Sequence, residues 1–227
     1  MPVDVVLDYS LILIKGAFVT LAVGVGSLFF SILIGVFVAF SNLSESRLLR
    51  FFATLYTTVI RGIPDIVLLL LIYYGGQVFL NNLIDLVGLN FYITLSPLIS
   101  GIVTIGIIFG AYMAETFRGA FQAIERGQIE AAKAFDLKGA TLFFSILVPQ
   151  LFFHGLSAFT NNWLVLLKTT SLVSIIGLND MVRVANISGT STHQPFVFYF
   201  FVALIYLLFT SLSLWILNVL KRRYHLS

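Results

Sequence analysis

The 227-residue sequence has no cysteine, which excludes disulfides, thiolate metal sites and cysteine nucleophiles. It is short of charge as well. Asp, Glu, Lys and Arg make up 10% of the residues, where a soluble domain carries about 25%. With 59% hydrophobic residues and a mean hydropathy of +1.02, the chain lacks the polar surface to cover itself in water. Lipid is the natural solvent for such a surface. The net charge of +3 is too small and too dispersed for a nucleic-acid footprint, so no nucleic-acid partner is expected. The chain has no Gly-x-x-x-x-Gly-Lys-Ser/Thr phosphate loop, and Lys138-Gly139 has the wrong order for one. No serine sits in a Gly-x-Ser-x-Gly elbow. His154, His193 and His225 are far apart, and no His, Asp or Glu cluster has metal-ligand spacing. The sequence therefore predicts no covalent chemistry, metal or cofactor in this chain.

What is present is long apolar runs. A spanning helix needs about 20 mostly apolar residues. Five segments qualify. The first lies between Lys15 and Glu45. The second runs from near Phe51 to about Leu83, with Arg61 and Asp65 inside it. The third covers about Ser96 to Ala114. The fourth covers about Gln150 to Gly177 and holds Lys168. The fifth covers about Pro195 to Leu220. The runs are apolar on consecutive positions, as in Ile66 to Tyr74, which favours helices over the alternating strands of a barrel. Met1 to Ser10 contains Asp4 and Asp8 and no Lys or Arg, so it lacks the positive start of a signal peptide. The first apolar run reads as a retained span. With no internal repeat, low-complexity tract or linker, residues 1–227 read as a single transmembrane domain.

Basic residues set the expected orientation. Arg47, Arg50, Arg118, Arg126, Lys133, Lys138, Lys221, Arg222 and Arg223 fall on one side of a five-span chain. The other side holds a loop from Asn81 to Leu95 without Lys or Arg, and a loop from Leu178 to Gln194 with only Arg183; Lys15, near the start of the first span, is the other exception. The N-terminus is then outside and the C-terminus cytoplasmic. The stretch from Asn179-Asp180 to Thr192 reads as polar and outward-facing, either a contact for an extracytoplasmic protein or a plain surface loop. Gly16, Gly24, Gly26 and Gly35 in the first span read as close helix contacts.

The longest cytoplasmic segment, Arg118 to Gln150, contains a helix-favouring stretch from Gln128 to Phe135 between Gly127 and Gly139. It has room for two turns, with Glu130 in the first turn, where a carboxylate suits the helix dipole. Ala131, Ala132 and Ala134 leave room for another protein surface to approach.

Glu130-Ala131-Ala132, followed by Ile146-Leu147-Val148-Pro149, resembles the EAA loop of permease subunits in ATP-binding-cassette importers. Arg61-Gly62-Ile63-Pro64 with Leu71-Ile72-Tyr73-Tyr74-Gly75 is similar to the second span of the polar amino-acid permeases. Ala111 to Gly119 and Lys168 to Ser174 resemble two further stretches of that family. The resemblance covers nearly the whole chain and is nearest to the subunits for histidine, lysine, arginine and ornithine, or for opines. It implies an all-α integral membrane protein of five transmembrane helices with a cytoplasmic coupling helix. It also implies a place in the bacterial inner membrane. The implied partners are a dimer of cytoplasmic ATP-binding subunits, a second permease subunit (identical or related), an extracytoplasmic amino-acid-binding protein and membrane lipid. Gly127, Glu130, Ala131, Ala132, Ala134, Phe135 and Asp136 would form the coupling loop. Asp136 departs from the family pattern, which has glycine there. The turn is expected to be left-handed, a conformation Asp tolerates better than most residues.

Charges within spans are costly, about 2.5–3.5 kcal/mol each on insertion scales, and tend to face a cavity or a partner. Arg61 and Asp65 are four apart and would share one helix face, as an ion pair or with Asp65 facing a cationic substrate. Glu115 is a structural partner for a basic residue or a selectivity element. Lys168 binds a substrate carboxylate or pairs with Glu115 or Asp65. Asn161 and Asn162 line the same cavity or hydrogen-bond between helices. The expected function is import of a polar, basic amino acid by alternating access. A glutamine-like cargo, a non-transport scaffold for an ATPase and an ATP-independent channel or carrier are the alternatives.

Overall fold

The computed structural model describes residues 3–89 and 91–223, with side chains from 9 to 89 and 91 to 222; His225 lies outside the described residues. All regular structure among these residues is helical. Ten helices follow one another: α1 (Val3–Leu43), α2 (Arg47–Gly62), α3 (Asp65–Leu70), α4 (Gly76–Leu86), α5 (Pro97–Gln122), α6 (Arg126–Ala134), α7 (Gly139–Leu142), α8 (Val148–Thr169), α9 (Met181–Ser191) and α10 (Pro195–Arg223). A π-turn, Leu71–Gly75, joins α3 to α4, and another, Phe143–Leu147, joins α7 to α8. A 3₁₀ turn, Thr170–Ser174, ends the α8 run. Five stretches are long and apolar enough to cross a membrane: Tyr9–Leu43, Asp65–Leu86, Pro97–Gln122, Gly139–Ser174 and Pro195–Arg222.

The most enclosed helix is α5, and α1 runs along it. In lipid there is no hydrophobic drive between apolar helices, so close packing has to hold them. Glycine makes that approach possible on both partners. A Cβ on Gly106 would sit 2.5 Å from Phe30 Cδ1, and one on Gly110 would sit 2.7 Å from Ile34 Cγ2. On the other side of the contact, a Cβ on Gly35 would sit 2.5 Å from Met113 Cβ. Gly106 and Gly110 are a Gly-x-x-x-Gly pair on one face of α5. Around this seam Val23, Leu69, Ile105, Ile108, Phe109 and Leu166 are buried together.

Two expectations about the elements need correction. The second span is not one helix from Phe51 to Leu83. It is interrupted at Ile63 and Pro64, both extended (ψ 137° and 135°). Pro64 favours the break: its ring disfavours the α-conformation for Ile63, and the new helix starts with the carbonyl of Pro64 accepting from Val67 and Leu68. What precedes the break, α2, is an amphipathic helix of 16 residues, capped by the Ser46 hydroxyl, and the crossing segment begins at Asp65.

Nor is the stretch from Asn179 to Thr192 a plain surface loop. Most of it is α9, packed between α1 and α10, with Met181, Val184, Ala185 and Ser188 buried. Asp180 starts it, fully buried, its carboxylate accepting from the amides of Val182 (3.2 Å) and Arg183 (3.1 Å). Gly16 allows the close approach, since a Cβ there would lie 2.8 Å from Met181 Cα. The Thr20 hydroxyl accepts from the Met181 amide at 3.3 Å.

Candidate functional site

The break at Pro64 places the last turn of α2 beside the middle of α5. Between them lies a polar cleft of about 390 Å³ lined by Thr54, Thr57, Thr58, Arg61, Gly62, Tyr112 and Glu115. Thr54, Thr57, Thr58 and Arg61 stand at positions i, i+3, i+4 and i+7, so they form one polar stripe on α2. Sequence reasoning found Arg61 and missed the threonines, although that spacing was the signal for them. Tyr56, beside the stripe, donates its hydroxyl to the Ile107 carbonyl at 2.5 Å and ties α2 to α5.

Arg61 holds its guanidinium carbon 5.3 Å from the centre of the Tyr112 ring, within cation–π range. Glu115 accepts from Arg118 Nη2 at 2.6 Å, and Arg118 Nη1 donates to Gln122 Oε1 at 3.1 Å. This pair sits one turn apart on α5 and is half-buried. The cleft thus presents a positive group, a carboxylate and hydroxyls within an apolar bundle. Such a set can hold a zwitterion by both ends, and it contains no nucleophile paired with a base.

The other expected site residues are elsewhere. The helix break takes Arg61 and Asp65 off any common helix face. They do not form an ion pair: the two ion pairs among the described residues are Arg118–Glu115 and Lys138–Asp136. Asp65 is half-buried in the first turn after the break, where a carboxylate suits the helix dipole, and it does not line the cleft. Lys168 is exposed in the last turn of α8 and pairs with neither Glu115 nor Asp65. Asn161 is exposed. Asn162 donates to the Thr116 hydroxyl at 2.9 Å and links α8 to α5.

Helix α6 forms a second feature, on a connection between spans. It begins at Arg126 rather than Gln128, so Glu130 stands in its second turn, not its first. Asp136 has φ +60°, the left-handed conformation expected there. The Asp136 amide donates to the Lys133 carbonyl (3.0 Å) and the Leu137 amide to the Ala132 carbonyl (3.1 Å), a Schellman ending. Gly127, Glu130, Ala131, Ala134 and Phe135 are exposed. Ala132 is buried and faces inward, so it is not part of an open face. Phe135 ends the helix with 83% of its surface open.

Residues 31–226 match the family described as "Binding-protein-dependent transport system inner membrane component". The histidine/lysine/arginine/ornithine transport system permease protein HisQ of Salmonella typhimurium is 44% identical over 95% of this chain and 94% of its own length. The arginine ABC transporter permease protein ArtQ of Haemophilus influenzae is 36% identical over 91% of this chain and 90% of its own. Among solved structures, an amino acid ABC transporter crystallised with histidines superposes with a TM-score of 0.81 at 31% identity, covering 98% of this chain and 100% of that one. An inward-facing MetNI methionine ABC transporter shares the fold, with a TM-score of 0.72 at 18% identity over 96% and 98% of the two chains. This five-span chain is a member of the binding-protein-dependent transport system inner membrane component family.

Proposed function

We propose that this chain is the permease subunit of an ATP-driven importer that carries a basic amino acid across the bacterial inner membrane. The observation that carries the proposal is the polar cleft in an otherwise apolar bundle, with Arg61 and Glu115 on facing helices. An amino acid brings a carboxylate, which suits Arg61, and one or two ammonium groups, which suit Glu115 and the threonine hydroxyls. The relatives named for histidine, lysine, arginine and ornithine, or for arginine, support a basic cargo over a glutamine-like one. Asp65 has a structural place at a helix start, which leaves Glu115 as the stronger candidate for recognising the cationic side chain.

In this reading the basic loops face the cytoplasm, the N-terminus lies outside and the C-terminus inside. The exposed face of α6, with Gly127, Glu130, Ala131, Ala134 and Phe135, docks on a separate ATP-binding subunit. A pair of those subunits closes on nucleotide, and α6 passes the motion to α5 and α8. A second permease subunit completes the pathway opposite the cleft, and an extracytoplasmic binding protein delivers the amino acid. The bundle then alternates between outward and inward access.

The test is uptake of labelled arginine into liposomes holding the purified complex, with lysine, histidine and glutamine as competitors. ATP-dependent uptake inhibited by lysine and histidine, and not by glutamine, is expected. Equal inhibition by glutamine would overturn the basic cargo. Uptake without ATP would overturn the importer.

A further inference from the structure

A second cavity, similar in volume to the polar cleft, is a groove of about 400 Å³ between α1, α5, α8 and α10, and its lining residues are all apolar. Its volume falls within the ~300–1,000 Å³ of sites that hold small molecules. The floor is the close contact of α8 with α5 at Gly155, where a Cβ would meet Ala120 Cβ at 3.2 Å. Gly155 has no side chain to fill the space above it. One wall is Phe40 and Phe143, with ring centres 6.4 Å apart. The π-turn Phe143–Leu147 supplies Phe143, so the extra residue in that turn helps to shape the groove. Phe40 and Phe152 are more than half exposed, so the groove opens on the outer surface of the bundle.

We propose that this groove is a binding site for one acyl chain of an anionic membrane phospholipid, whose headgroup is held by Lys221 and Arg222. An all-carbon groove on spanning helices gives water nothing to bond, and left empty it forfeits the contacts of its lining atoms. An acyl chain is the apolar molecule always present at that surface. Charge complementarity selects the lipid: the groove's last residue on α10 is Leu220, and Lys221 and Arg222 follow it directly. A basic pair at the end of a spanning helix lies at headgroup depth and attracts an anionic headgroup. The inference needs the family's membrane setting and does not depend on the cargo.

The test uses the assembled complex in nanodiscs containing phosphatidylglycerol with a photoactivatable group on its acyl chain. Cross-linked peptides are then mapped by mass spectrometry. Labelling is expected to concentrate on Val36, Phe40, Phe152 and Leu217 over Phe18 and Phe29, which are exposed on α1 away from the groove. Val36→Trp or Leu217→Trp, each filling the groove from its side, should cut groove labelling about fivefold while Phe18 and Phe29 are unchanged. Lys221→Gln with Arg222→Gln should abolish the preference for phosphatidylglycerol over an equivalent phosphatidylethanolamine probe. Uniform labelling of all exposed apolar positions would overturn the site, as would groove residues cross-linking to a second protein chain instead of lipid. An unchanged headgroup preference in the double variant would overturn the role of the basic pair.

Discussion

Asp136 and His193 each hold a positive φ, +60° and +54°, at the end of a short helix. A side chain in that conformation costs about 1 kcal/mol or more relative to glycine. Asp136→Gly should relieve the strain at the end of α6, losing only an exposed pair with Lys138. Amide exchange across α6 should slow by a few-fold, equivalent to about 0.5–1 kcal/mol. Asp180 carries a different tension. Burial pushes its carboxyl up to about 6, while its two amide bonds and Arg183 pull it down. The folded state therefore favours the protonated acid. Its contribution is present in full below the ordinary value near 3.8 and is lost as pH rises through about 6. Asp180→Asn keeps an acceptor at the start of α9 and removes the titration. In thermal melts from pH 4 to 7 the wild type should lose stability across this window by on the order of 2 kcal/mol more than the variant.

Helices are the scale at which coupling and packing are tested. Glu130→Arg reverses a charge on the exposed face of α6 and touches no buried contact. It should leave membrane insertion intact and abolish ATP-driven uptake; normal uptake would exclude α6 as the docking helix. On α5, Gly110→Ala drives a methyl to 2.7 Å from Ile34 and 2.9 Å from the Tyr56 hydroxyl. That overpacking should cost about 1–3 kcal/mol of stability in melts of the purified protein. Gly119→Ala, with nothing within 4 Å, should be neutral or gain helix propensity of up to about 1 kcal/mol. The same elements show what could be read without coordinates. The five apolar runs were legible because lipid demands about 20 consecutive apolar residues, a signal that needs no partner. The break at Pro64 was not, because a proline in an apolar run is compatible with either a kinked helix or two helices, and packing against α5 decides. Helix α9 was missed because its connection looks polar overall. Its buried set, Met181, Val184, Ala185 and Ser188, is nevertheless spaced as a helix face. The cleft was half legible: charges in apolar runs stand out, whereas threonines pass as ordinary span residues, and the partnership of Arg61 with Tyr112 exists only in three dimensions.

For the whole molecule, α1 sets the frame, since it touches α2, α5, α8 and α9. Its 41 residues make a rod about 60 Å long, twice the roughly 30 Å hydrocarbon slab. Even its apolar part, Tyr9–Leu43, measures about 52 Å over 35 residues. A rod of that length cannot stand upright between two polar surfaces without exposing apolar side chains such as Leu11, Phe37 or Phe40 to water. Tilt is an ordinary way for an overlong apolar helix to keep such residues out of water, and the slope of a tilted brace varies with the thickness of the sheet it crosses. Reconstitution in short-chain lipids should flatten the brace, and long-chain lipids should raise it. The helices bolted to it through Gly16, Gly35 and Gly110 would follow, so acyl length alone becomes a dial on the machine's geometry.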